Sequence, residues 1–524
     1  MGATGNLLAG APASDALPLR TWIGIFAAIL GVFLSILDIQ ITNASLPEIL
    51  GSLSATQEEG SWMSTAYLAA EVTVIPLTAY FIRLFGIRSY MIGNSLLFLL
   101  FSTLCGFAWN LPSMIVFRML QGVAGGALVP SAMTLLLTRL PASRRGAGLA
   151  WLMLSTTLAP TLGPTLGGWL TGLYGWPSIF FINWVPGVLM LAGLAYGLKY
   201  EPPNLQLLRQ ADWPSIGAMV IGLVSLIIFL EEGNARDWFA SDLVRLASVL
   251  ALLGLGYWII RMLFQPQPYI NLRLYGRRNF GFSSVVGAAA GMGLYGSTFI
   301  LPLFLAQIAG YNPMQIGEVI MWMGLPQIFM MPVAAKLSKQ FDNRAVCSLG
   351  LVLFAISCFL NSGMDANTSR DQLIYSQVFR ALGQPLIVLT LSNFATYRME
   401  QVNLPSASSL FNMSRILGGA VGTALLATVL TIREQYHSAR LGEAVSVFAK
   451  ASQGRLAQLA DAYLAQGSTP LRASQQAVAA IADVVRREAY VAAYNDCFFL
   501  LAWILLGAIV ALWVVDRVVP ESGK

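Results

Sequence analysis

Apolar residues in this chain gather into runs of about 17 to 25, the length a helix needs to cross roughly 30 Å of hydrocarbon, with short polar turns between them. Fourteen spans are predicted, near 21–46, 62–82, 89–108, 111–137, 148–171, 178–198, 213–230, 241–262, 279–305, 315–337, 345–361, 372–395, 405–431 and 495–515. That pattern belongs to an all-α polytopic membrane protein. Residues 1–20 lack the basic start of a cleaved signal peptide, so they read as a cytoplasmic N-terminal tail before a retained first span.

Composition agrees: of 524 residues, 56% are hydrophobic and 11% charged, whereas soluble domains run near a quarter charged. Charge placement sets orientation. With the N-terminus on the cytoplasmic side, the even-numbered turns collect Arg83, Arg88, Arg139, Arg144, Arg145 and further basic residues up to Arg398. The short turns opposite hold only Arg236 and Arg370. This positive-inside asymmetry places both termini in the cytoplasm. It also accounts for the net charge of +6 without a nucleic-acid partner.

Other chemistry is sparse. Cys105, Cys347, Cys358 and Cys497 are scattered without metal or redox spacing, so no metal is expected. No phosphate-binding GxxxxGK[ST] loop occurs, and no polar cluster suggests an enzyme. The single histidine, His437, falls outside the spans, which excludes a histidine relay within the membrane.

Weak repetition divides the chain. AYFIRLFGIR (Ala79 to Arg88) pairs with AKLSKQFDNR (Ala335 to Arg344), FRMLQG (Phe117 to Gly122) with FRALGQ (Phe379 to Gln384), and LPAS (Leu140 to Ser143) with LPSAS (Leu404 to Ser408). All three offsets lie near 260 residues and run in one order. Two six-helix halves follow, 21–198 and 279–515, with two added spans at 213–262. Such parallel repeats are a transporter architecture with its cavity between the halves. Residues 432–494 are too polar to span and form an expected periplasmic loop. Apolar spacing there (Leu441, Val445, Phe448; Leu456, Leu459, Tyr463) and a helix start at Thr469-Pro470 fit either a solvated loop or a docking surface.

Asp38, Glu71, Arg118, Arg380 and Arg415 are ionisable residues within spans, where charge is costly and faces a partner or a cavity. At about 1.5 Å per residue, Asp38, Arg118 and Glu71 lie roughly 12, 10 and 13 Å below the outer surface. An Asp38–Arg118 pair would keep the carboxylate ionised, and protonation would end the attraction between two helices. A permanent structural pair is the alternative. Glu71 has no evident second cation. It is open to a neutral resting state, a cationic substrate or a coupling proton. Arg380 repeats Arg118 without an acid in span 9, which leaves a structural role or an anionic substrate. In span 5, Gly163, Gly167 and Gly168 permit close packing, and Pro160 with Pro164 bends the helix.

LDIQITNASLP (Leu37 to Pro47), FRMLQGVAGG (Phe117 to Gly126), LGPTLGGWL (Leu162 to Leu170), WPSIFFINWVPG (Trp176 to Gly187) and SRILGGAVGTAL (Ser414 to Leu425) together resemble motifs of the fourteen-helix drug:proton antiporters of the major facilitator superfamily. YHSARL (Tyr436 to Leu441), in a long loop before the last span, is similar to the EmrB-like members. The resemblance implies a proton-linked Asp38–Arg118 pair. It also implies an outer gate at Gly163, Pro164, Gly167 and Gly168. The setting would be a bacterial inner membrane, with a periplasmic adaptor and an outer-membrane channel as partners. Gln40 departs from the family's Thr, Ala79 from its Gly, and Arg83 stands in a loop where the family carries an acid, so an Asp-anchored cytoplasmic lock is not expected.

The function expected is proton-coupled efflux of hydrophobic or amphipathic drugs by alternating access, with protons as coupling ion and no cofactor. A dedicated exporter of one metabolite, such as a siderophore or fatty acid, is the alternative, ahead of a membrane sensor or lipid-modifying enzyme. Tyr67, Tyr295, Phe299, Trp322, Gln327, Gln384 and Asn412 are the candidate substrate contacts.

Overall fold

The computed structural model describes residues 18–209, 211–266, 268–445 and 450–517, so most of the expected N-terminal tail and Phe448 lie outside the described residues. All regular structure among them is helical. The first half comprises α1 (Leu19–Ala44), α2 (Gln57–Phe85), α3 (Ile87–Gly106), α4 (Leu111–Arg139), α5 (Ala142–Tyr174) and α6 (Ser178–Gly197). Two added helices follow, α7 (Trp213–Gly233) and α8 (Asp242–Phe264). The second half comprises α9 (Arg278–Gln307), α10 (Pro313–Gln340), α11 (Asn343–Asn361), α12 (Arg370–Thr396), α13 (Leu404–Ala444) and α14 (Pro470–Trp513). Thirteen of these helices are long and apolar enough to cross a membrane. The fourteenth, α5, runs for 33 residues and packs between α1 and α10.

Local chemistry fixes where the helices start. Thr56 accepts from the Glu59 amide at 3.2 Å while its own amide donates to Glu59 Oε2 at 3.0 Å, which closes a capping box on α2. Asn110 with Ser113 and Asn312 with Gln315 cap α4 and α10 in the same way, each with Pro in the first turn. Gly86, at φ 75°, ends α2 in a conformation that disfavours any side chain, so α3 can turn back at once.

The same pairings recur in both halves. α1 packs on α5 and α6, and α2 on α4; α9 packs on α13 and α14, and α10 on α12. α7 lies against α2 and α13, while α8 packs chiefly on α7 and is the most peripheral helix. The halves meet through α5 with α10, α2 with α13, and α4 with α13. Helix polarity puts the turns bearing Arg83, Arg88, Arg139 and Arg344 on one face, hereafter the basic face, together with both described chain ends. Toward that face the halves are sealed. Residues 128–137 of α4 are all buried, as are Ser406 to Met413 of α13, and Ser408 Oγ donates to the Pro130 carbonyl at 3.2 Å.

At the opposite face, the described residues of 432–494 are mostly helical instead of a loose loop. α13 runs for 41 residues and α14 for 44, about 60 Å and 65 Å, twice the hydrocarbon thickness. α14 starts after Thr469 with Pro470 in its first turn. A helix at Lys450–Ala465 packs on the α14 extension, with Leu456, Leu459 and Tyr463 half-buried along one side. His437 therefore sits on α13, where it and Arg433 hold Asp496 of α14 at 2.7 and 2.5 Å.

Candidate proton-coupling site and central cavity residues

Asp38 and Arg118 meet in the first half. Arg118 Nη1 is 2.5 Å from Asp38 Oδ2, and each side chain is 1% exposed. Asn183 Nδ2 donates to Asp38 Oδ1 at 2.9 Å and to Ser102 Oγ at 3.0 Å. Arg118 Nη1 also donates to Gln121 Oε1 at 2.8 Å, and the guanidinium stands 4.3 Å over the Tyr67 ring. Four of the six helices of the half thus converge on one ion pair. The site is a charge pair without water access. Protonating Asp38 would leave Arg118 with an amide and a ring but no counter-charge, which is how a proton could loosen α1 from α4.

The glycines of FRMLQGVAGG bring these groups together. A Cβ on Gly122 would stand 2.4 Å from the Tyr67 carbonyl, and one on Gly126 2.7 Å from that of Glu71. Only bare backbone at both positions lets α2 approach α4 closely enough to lay Tyr67 under Arg118. Asn183 escaped the sequence reading. It occupies a break in α6, at Ile182–Asn183 between Phe181 and Trp184. The signal was available as an amide within an apolar run, with Pro186 three residues on.

The second half keeps the cation and drops the acid. Arg380 stands 262 residues after Arg118, and Thr298 stands 260 after Asp38. Arg380 Nη2 donates to Thr298 Oγ1 at 2.7 Å and to the Leu294 carbonyl at 3.1 Å, over the Phe354 ring. A hydroxyl, a carbonyl and a ring replace the missing acid. Gln327, which stands 256 residues after Glu71, is fully buried and donates to Gln384 Oε1 at 3.0 Å. Titratable carboxylates at these repeated positions are confined to the first half.

Glu71 itself is 6% exposed on α2. The expectation that it lacks a second cation is corrected. Arg415, on α13 of the other half, lies within electrostatic reach of it along with Arg118. The helix-5 glycines serve α1 directly. A Cβ on Gly163 would stand 2.4 Å from Gln40 Cβ, and one on Gly167 3.0 Å from the Ile41 carbonyl. Gly168, Pro160 and Pro164 are half-buried. Toward the other half, Thr165 of α5 lies against Gly317 of α10.

Of the candidate substrate contacts, Tyr67 underlies Arg118, Gln327 and Gln384 hold one another, and Asn412 accepts from Arg415 at 2.9 Å. Tyr295 is half-buried against Gly419, Trp322 is half-buried, and Phe299 is 37% exposed. The latter three keep surface for a ligand.

Two acids outside the expected set organise the helix ends. Glu201, after α6, pairs with Arg139 of α4 and accepts from the Ile87 amide at 3.3 Å. It supplies from elsewhere the acid absent from the α2–α3 turn, where Arg83 instead donates to the Tyr269 carbonyl at 2.6 Å. Glu232 of α7, 1% exposed, accepts from Ser61 of α2 at 3.0 Å and pairs with Arg236. In the second half, Asp342 fills the α10–α11 turn. Burial opposes its ionisation, but hydrogen bonds and charge from Arg344, aided by Arg517, hold its carboxyl below the usual carboxylate range.

The profile of the Major Facilitator Superfamily matches residues 28–297 and again 283–517. The chain is 32% identical over 501 residues to the colistin resistance protein EmrB of Acinetobacter baumannii, covering 95% of this chain and 97% of that protein. It is 29% identical over 491 residues to the multidrug export protein EmrB of Escherichia coli K12, with 92% and 93% covered. Identity to the fatty acid resistance protein FarB of Neisseria gonorrhoeae is 27% over 494 residues, with 94% and 96% covered. The crystal structure of the human organic anion transporter MFSD10 superposes with a TM-score of 0.59 at 14% identity, covering 95% of this chain and all of that one, which bears on the fold alone. With both halves matched by one profile and relatives aligned end to end, the chain belongs to the Major Facilitator Superfamily.

Proposed function

We propose that this protein is a proton-coupled antiporter that exports hydrophobic or amphipathic drugs and toxic compounds by alternating access. The observation that carries the reading is the Asp38–Arg118 pair, closed off from solvent and joined to α6 through Asn183. A proton there converts a balanced pair into an unbalanced buried cation, and moving the helices relieves it. In this scheme the basic face is cytoplasmic, by the positive-inside rule, and the sealed arrangement is the cytoplasm-closed state. The setting is the bacterial inner membrane. The relatives named for multidrug export and colistin resistance support efflux.

The α13–α14 extension and its packed helix project about 35 Å past the span on the α14 side, which supports the inner-membrane subunit of a tripartite system with a periplasmic adaptor and an outer-membrane channel. A dedicated fatty-acid exporter is the second reading, favoured by the likeness to FarB. Purified protein in liposomes decides between transport and no transport. An imposed outward proton gradient, with the lumen acidic, should drive accumulation of an amphipathic dye against its own gradient, and an uncoupler should abolish it. Accumulation that ignores the gradient rejects proton coupling. Competition by long-chain fatty acids far above that of unrelated amphiphiles would favour the dedicated exporter.

A further inference from the structure

Both oxygens of Asp38 face donors, Arg118 Nη1 at 2.5 Å from Oδ2 and Asn183 Nδ2 at 2.9 Å from Oδ1. A proton added to this carboxyl needs an acceptor for its new O–H. A guanidinium has none, whereas an amide carries a carbonyl oxygen beside its nitrogen. That oxygen, Asn183 Oδ1, is buried and has no hydrogen-bond partner among the described residues. The local sequence leaves it spare. Asn183 heads the second segment of α6, where an asparagine can accept from an amide two or three residues on. The third residue is Pro186, which has no N–H, and no side-chain cap forms. The neighbours also fix which way the amide points. Ser102 Oγ of α3 donates its one proton to the Phe180 carbonyl at 2.8 Å, so toward Asn183 Nδ2, at 3.0 Å, it can only accept. One amide thus bonds an acid on α1, a hydroxyl on α3 and, through it, the α6 backbone just before the helix break. The charged or titratable groups facing Asp38 are Arg118 on α4, Cys105 on α3 and Tyr67 on α2. Glu71 stands one turn beyond Tyr67. The others on elements packed against α1 lie toward helix ends: Arg139 on α4, Arg144, Arg145 and Tyr174 on α5, Tyr196 on α6, and Glu48 on the short helix Leu46–Ser52.

We propose that Asn183 reads the protonation state of Asp38: when the proton arrives, the amide turns over, accepts the acid's O–H through Oδ1, and gives up its bond to Ser102. Ser102 then faces an acceptor where a donor stood, and its hydroxyl proton can leave the Phe180 carbonyl for Oδ1, which has a lone pair for each of the two donors. The turned Nδ2 meets no acceptor in the place Oδ1 vacated. A buried N–H without a partner is costly, so the protonated arrangement is completed only by a shift of α6 against α1 and α3. The proton is thereby felt on α3 and α6 as well as in the α1–α4 ion pair. Asn183 acts through Asp38, as a positioning residue. This step rests on the exporter reading, in which Asp38 carries the coupling proton.

Infrared difference spectroscopy of the purified full chain, titrated from about pH 8 to about pH 4 without cargo or gradient, tests this. The Asp38 acid band is identified by its absence from Asp38→Asn. In the parent its carbonyl stretch should lie at a hydrogen-bonded position, and in Asn183→Leu it should shift toward that of a free acid. With isotope-labelled asparagine, a side-chain amide band of the parent should change in step with the acid band and stay fixed in Asp38→Asn. A residue that merely packs α6 would move neither band. The proposal is overturned if the acid band is the same in Asn183→Leu as in the parent, or if the labelled amide is silent through the titration. Either result leaves the proton on Asp38 standing, whereas the lack of an Asp38 acid band at every pH would sink the exporter reading's proton site together with this proposal. The labelled-parent measurement decides without the Asn183 variant, should that variant fold poorly.

Discussion

Replacing Asp38 by Asn keeps the shape of the side chain and its acceptor toward Asn183, and removes one charge from a pair in which each partner is 1% exposed. The remaining guanidinium cannot shed its proton. Breaking a buried pair from one side costs about 3–5 kcal/mol. The Tyr67 ring at 4.3 Å and the Gln121 amide continue to solvate Arg118, which argues for the lower end, ~3 kcal/mol. Arg118→Gln should behave differently. Asp38 can lose its charge by taking a proton, so this variant should recover stability as pH falls, whereas Asp38→Asn should not. The double variant Asp38→Asn/Arg118→Gln has no stranded charge and should regain most of the loss. Thermal denaturation of all four proteins in detergent, from about pH 8 to pH 5, measures the cycle. If the two single losses simply add in the double variant, the residues do not act as a pair and the reasoning fails.

Three further perturbations probe other parts of the structure. Gly122→Ala drives a methyl to 2.4 Å from the Tyr67 carbonyl, where only backbone can yield, so a loss of roughly 1–3 kcal/mol should appear as a lower detergent melting temperature; unchanged stability would mean α2 and α4 are less closely packed. Glu232→Ala strips the acceptor from Ser61 and the partner from Arg236, and should raise the reactivity of a cysteine placed at Thr65 while Glu232→Gln has a smaller effect. Deleting residues 441–490 removes the projecting helices but spares the ion-pair site. Transport by isolated protein in liposomes should survive while cellular resistance drops, and an equal loss of both would tie the extension to transport itself.

The spans were legible because crossing hydrocarbon leaves a length of apolar sequence that few other structures need, and every expected span overlaps a helix. Helix ends were less legible. α5 begins at Ala142, well before its apolar run, since Arg144 and Arg145 are good helix formers that solvent accepts at a helix end. The length of α13 and α14 beyond the membrane was hidden for a related reason: hydropathy reports the solvent around a helix and says nothing of its continuation into water. Within the site, Asp38 and Arg118 stood out because charge inside a span is costly, but Asn183 and Gln121 did not, since single amides there are common. Arg415 as the cation near Glu71 could not be read from either half alone. The two residues stand 344 positions apart, on packed helices of different halves, with no motif to join them.

In the proposed mechanism, a proton on Asp38 is converted into cargo movement. Liposomes containing the parent protein or Asp38→Asn, loaded to equal protein content and given the same outward proton gradient from an acidic lumen, test it most directly. The variant should still bind and equilibrate an amphipathic cargo but fail to concentrate it, while the parent protein does. Uphill accumulation by Asp38→Asn at the parent's rate would contradict it.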